Sequence, residues 1–211
     1  MRTVTSTRCP TSTRWFWLRH APTGQGGRIV GCLDVDAETK DPRPFAALAL
    51  RLPPEALWLE SGLRRCRQTR EALVAQGASL AAPPLMVPHL REQDFGTWQG
   101  RNWSDLSPED CTAFWADPAT ATPPGGESFA AQMARVAAAI RDLNQEHEGR
   151  DIVAIAHAGT IRAAVALALD LTPAQALRLA LAPLSLTRLT SFRREEGEGW
   201  DWAVEEVGSS V

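Results

Sequence analysis

Three short apolar runs punctuate the chain, and each stops at or just before a residue suited to holding an anion. Trp15 to Leu18 runs into Arg19-His20, Ala56 to Glu60 precedes Arg64-Arg65, and Asp151 to Ala156 ends at His157. Runs of this length with little polar alternation predict strands covered on both faces, as in a parallel sheet. Elsewhere the spacing is helical. Pro42 to Leu52 and Gly62 to Ala75 predict helices, the first broken by Pro53-Pro54 and the second turning Leu63, Cys66 and Leu73 inward. Ser128 caps a longer helix in which Phe129, Met133, Val136, Ile140 and Leu143 recur on one face until Gly149. Ile161 to Leu169 predicts another, and Thr172-Pro173 reads as the N-cap and first position of a further one. Leu184 to Phe192 and Trp200 to Val207, joined across Gly197 and Gly199, predict a closing hairpin.

Strands alternating with helices imply an α/β fold, a three-layer α/β/α sandwich around a mostly parallel sheet. No linker, like-charge block or low-complexity tract divides the chain, so residues 14–211 are expected to form one domain behind a frayed tail, 1–13. From Pro83 to Gly126 the periodicity fades while Phe95, Trp98, Trp103, Phe114 and Trp115 accumulate. That segment is expected to be part loop and part short helix, lying over the sheet edge.

Charge narrows the partners. With 22 basic and 25 acidic residues the formal net charge is -3, which gives no general attraction to nucleic acid or anionic lipid. Lys40 is the lone lysine, so almost every cation is an arginine, whose planar fork suits phosphate and carboxylate. Cys9, Cys32, Cys66 and Cys111 lack metal-ligand spacing and read as reduced thiols of a cytoplasmic protein, with no metal and no cofactor expected. The opening residues lack the apolar core of a signal peptide, and no stretch approaches a membrane span. A monomer and a homodimer both remain open.

In a parallel sheet the carboxyl ends of the strands share one edge, and ligands bind there. Arg19, His20, Arg65 and His157 would then converge. A phosphate monoester carries roughly -1.5 to -2 charge at neutral pH and calls for several cationic donors. Neutral imidazole is a nucleophile that can attack phosphorus, provided its other ring nitrogen is held as a donor, most simply by a carbonyl of the loop that His20 opens. Glu92 is the candidate acid for the departing oxygen, with Asp94 its rival. Free backbone N–H groups at Gly159, opening the helix after His157, are expected to add to the anion site.

Five blocks in order resemble the histidine phosphatase superfamily, also called phosphoglycerate mutase-like. Leu18-Arg19-His20-Ala21-Pro22-Thr23 resembles its RHG signature, and Ser61 to Thr69 its S-x-L-x-R-A-x-Q-T helix start. Glu92 to Gly100 resembles E-x-x-F-G-x-W-x-G, Pro124 to Ser128 the G-G-E-S turn, and His157 to Arg162 the H-G-G-x-x-R block. The resemblance implies that His20 becomes phosphorylated, that Glu92 gives and later takes a proton, and that Arg19, Arg65 and His157 bind the phosphoryl group. Thr23 and the Gly159 backbone are implied as secondary contacts, and no metal is implied. Two departures stand out. Ala21 replaces the RHG glycine, and Gly24-Gln25-Gly26-Gly27-Arg28 stands where many members carry a phosphate-contacting Asn, leaving Gln25 or Arg28 as substitutes. The missing Asn favours a phosphatase of a small metabolite, α-ribazole phosphate among the candidates. A phosphoglycerate mutase and a weakly catalytic phosphate-binding regulator are the alternatives.

Overall fold

The computed structural model of the chain describes residues 11–195 and 199–210. Six strands form one sheet: β1 (Ser12–Arg19), β2 (Leu57–Glu60), β3 (Leu85–Met86), β4 (Asp151–Ala156), β5 (Leu186–Arg193) and β6 (Trp200–Ser209). Their spatial order is β3-β2-β4-β1-β5-β6. β3, β2, β4 and β1 run parallel, whereas β5 is antiparallel to both β1 and β6. The architecture is therefore α/β with a mixed sheet whose central block is parallel, as the apolar runs imply.

Alternation along the strands sorts the core into two layers. Trp15 and Trp17 of β1 point to one face with Ile152 and Ala154 of β4, where Val136, Ile140, Ile161 and Val165 cover them. These come from helices α4 (Phe129–Glu146) and α5 (Ala158–Leu169). Phe16 and Leu18 point to the other face with Trp58, Val153 and Ile155, under Phe45, Leu48, Cys66 and Leu73. Those belong to α1 (Arg43–Ala49) and α2 (Arg64–Ala75). Both faces of the strands are thus dry, which is why the runs carry so little polar alternation.

Several boundaries move. β1 starts at Ser12, because Ser12 and Thr13 pair with Phe192 and Ser191, so these two residues belong to the sheet and not to a frayed tail. Residues 1–10 of that expected tail lie outside the described residues, as do Cys9 and the hairpin's Gly197. α5 begins directly after His157 and not at Ile161, since His157 itself is the N-cap residue. Thr172 does cap a short helix, α6 (Pro173–Ala176), accepting from the Gln175 N–H. The irregular stretch contains β3, three single helical turns at Pro88–Leu90, Gly96–Trp98 and Trp103–Asp105, and helix α3 (Pro108–Ala116).

Candidate active site

The sheet brings the anion-handling residues together through its register. Arg19 pairs with Ala156 across the β1–β4 ladder, so His20 and His157 leave neighbouring strands side by side, their ring centroids 5.1 Å apart. The His20 N–H also donates to the Ala156 carbonyl at 3.0 Å. Arg65, on the first turn of α2, lies 1% exposed beneath both rings, and its Nε is shared between His20 Nε2 and His157 Nδ1, at 3.2 Å each. The two other nitrogens of its guanidinium donate to the carbonyls of Leu33 and Gly31, both at 2.7 Å. Gly31 has φ +49°, and a Cβ there would stand 2.8 Å from the Gln93 carbonyl, so only glycine lets this loop reach the arginine.

These contacts fix the tautomers. His20 Nδ1 lies 2.7 Å from the Ala21 carbonyl, which can only accept, so Nδ1 carries the hydrogen and Nε2 presents a lone pair toward Arg65. The carbonyl expected to hold His20 is therefore the one in its own loop, and it comes from Ala21 as readily as from glycine. His157 Nδ1 accepts from Arg65, so its Nε2 donates to Ser61 Oγ at 2.8 Å. Burial first, then the Arg65 charge, pushes His20 down to about 3 and His157 well below its ordinary range. Both rings are therefore neutral near pH 7.

The cationic side of the site is under-compensated. Burial lowers the Arg19 and Arg65 guanidinium groups from their usual range, although both stay charged. Arg19 donates to the Leu181 carbonyl, but its buried Nε has no partner among the described residues. A cavity of about 360 Å³ is lined by Arg19, His20, Thr23, Arg28, Arg65 and Glu92, with Gln25 also in its wall. Its dimensions and its donors suit a phosphoryl group. His157 does not reach the cavity wall and stands behind Arg65 and His20.

Glu92 sits opposite, held by two helices. Its Oε1 accepts from Gly159 N–H at 3.1 Å and from Gln132 Nε2 at 3.0 Å, and Arg135 pins its carbonyl at 3.0 Å while pairing with Glu127 at 2.5 Å. The Gly159 N–H expected to be free for phosphate is therefore occupied. The start of α5 thus holds the Glu92 carboxyl group in the place expected for a phosphate oxygen. A Cβ at Gly159 would stand 2.3 Å from that carboxylate, so the glycine is what allows it to sit there. Asp94 instead accepts from the Gly96 N–H in the following turn and does not line the cavity.

Sequence reasoning passed over Ser61, Gln132, Arg135 and Arg162. Ser61 and Arg162 lie inside recognised blocks, so their motif membership was an available signal. Gln132 and Arg135 lie on the α4 face bearing the Glu92 loop and carry no signal beyond a polar residue, Gln132, on a buried face.

The family model described as histidine phosphatase superfamily (branch 1) matches residues 15–203. The chain is 30% identical over 156 residues to a metal-independent phosphoserine phosphatase of Arabidopsis thaliana, covering 69% of this chain and 64% of that protein. It is 33% identical over 123 residues to the adenosylcobalamin/α-ribazole phosphatase of Salmonella typhimurium, covering 57% and 59%. The chain thus spans under two thirds of the length of either relative. The solved structure of a mycobacterial glucosyl-3-phosphoglycerate phosphatase superposes with a TM-score of 0.79 at 27% identity, covering 94% of this chain and 100% of that one.

Proposed function

The chain belongs to the histidine phosphatase superfamily, and on that premise we propose that it is a metal-independent hydrolase of small phosphomonoesters working through a phosphohistidine at His20. The observation that carries this reading is the Ala21 carbonyl on His20 Nδ1, which leaves Nε2 a lone pair at a cavity walled by arginines and one carboxylic acid. His20 Nε2 forms a bond to phosphorus as the ester P–O bond breaks, and Glu92 gives its proton to the departing alcohol. Water then attacks phosphorus, Glu92 takes back a proton, the N–P bond breaks, and inorganic phosphate leaves a neutral His20. Arg19 and Arg65 hold the phosphoryl oxygens throughout, Thr23 contributes a hydroxyl, and His157, behind them, accepts from Arg65 and orients it. The exposed Arg28 stands in for the Asn that many members carry.

Water as the second acceptor follows from that same substitution in the loop after Thr23. Relatives hydrolyse esters as different as phosphoserine and α-ribazole phosphate, and the latter is a candidate substrate here. Residues 14–211 act as one domain in this reading, since His20 and His157, far apart in sequence, leave neighbouring strands of one sheet. Cys32, Cys66 and Cys111 are free thiols, in keeping with a cytoplasmic setting. The test is His20→Ala assayed on a generic aryl phosphate. Loss of turnover by at least about 10³-fold is expected, and normal rates in the variant would overturn the mechanism.

A further inference from the structure

Glu92 belongs to two cavities. On one side lies the arginine-walled space described above, and on the other a second cavity of about 300 Å³ lined by Phe95, Trp103, Phe114, Trp115 and Arg162. Phe95 and Trp103 also line the first cavity, so the two spaces adjoin at the carboxylate. We propose that the second cavity receives the leaving group, and that the substrates are phosphate esters of alcohols bearing a flat aromatic ring. This rests on the phosphatase reading, because only a proton donor in contact with the ester oxygen fixes which side the alcohol occupies.

With phosphoryl oxygens held by Arg19 and Arg65, the ester oxygen lies at Glu92, and the carbon chain beyond it enters the aromatic space. The rings there are set against one another: Trp103 lies 5.0 Å from Trp115, Phe114 meets Trp115 edge-on at 5.3 Å, and Phe95 meets Trp103 edge-on at 6.2 Å. Rings already ordered by such contacts lose little freedom when a further ring stacks on them. Trp115 is nonetheless 58% exposed, a large apolar face left in water beside a catalytic carboxylate. A ring of the leaving group would cover it. Arg162 adds one charged donor at the wall: its Nε is bonded to the Leu179 carbonyl and its terminal nitrogens have no hydrogen bond among the described residues. A ring acceptor would meet it.

The test compares esters whose alcohols differ little in basicity. Turnover of 2-phenylethyl phosphate is expected to exceed that of ethyl phosphate by roughly tenfold or more in kcat/KM, the worth of burying one ring. Trp115→Ala should bring that ratio toward one. Equal values for the two esters in the unaltered protein, or a preference for O-phosphoserine over 2-phenylethyl phosphate, would overturn the inference while leaving His20 chemistry standing. Should no ester turn over, the phosphatase reading fails, and binding still decides the cavity. 3-Phenylpropylphosphonate should then bind roughly tenfold or more tightly than propylphosphonate, and equal affinities refute the inference.

Discussion

At the scale of single residues, the site depends on keeping a histidine neutral inside a cationic pocket. His20 is nearly buried and faces Arg65, and both effects disfavour its protonated form, against the opposing pull of the Ala21 carbonyl. A histidine in the unfolded chain titrates near 6.5, whereas His20 in the folded protein is lowered to about 3. The unfolded state therefore holds more protons across that window. The stability contributed by neutral His20 is complete above about pH 6.5 and is lost as pH falls toward about 3, and His157 acts in the same direction. Denaturant midpoints measured from pH 7 to pH 3.5 should fall steadily, and less steeply in His20→Asn. Parallel curves for the two proteins would mean that His20 is not held neutral. The residue types at Arg19, His20 and Arg65 were legible in the sequence because each ends or follows an element whose period is plain, and Glu92 because of the block around it. The use of Gly159 was not legible, because an N–H at a helix start accepts any anion, and only the three-dimensional path of the Glu92 loop decides which one arrives.

At the scale of elements, two strands and two helices converge on the same few atoms. β1 and β4 set the histidines in register, α2 supplies Arg65, and the start of α5 holds Glu92 with help from α4. The strands and long helices could be read from period alone, since their burial is one-sided for helices and two-sided for strands. The start of α5 shifted by a few residues because His157, directly after the last strand residue Ala156, is itself the helix cap. The stretch from Pro83 to Gly126 resisted reading for a different reason. Its order comes from long-range contacts, such as the hydrophobic cluster of Ile29, Trp98, Leu106 and Phe114 and the Arg135 clamp, and not from local periodicity. If α5 positions Glu92 by close approach, Gly159→Ala should displace the carboxylate. We expect kcat for a primary alkyl phosphate to fall by about 10² or more while inorganic phosphate inhibits as before, because Arg19, Arg65 and His20 stay in place. An unchanged kcat would show that Glu92 tolerates the added methyl and is not held in the manner described.

At the scale of the whole molecule, the chain places an anion site at one edge of a parallel block and lays a loop-rich, aromatic cover beside it. The cover carries Glu92 at its root, so the proposed proton donor and the proposed leaving-group cavity share one segment. The central claim is covalent transfer to His20, and its most direct measurement is rapid acid-free quenching of the enzyme during turnover of a ³²P-labelled monoester, followed by mapping of the label. The account predicts an acid-labile, alkali-stable label on the peptide containing His20, absent from His20→Ala and released as inorganic phosphate on standing. Label on any other residue, or a normal burst of product from His20→Ala, would contradict it.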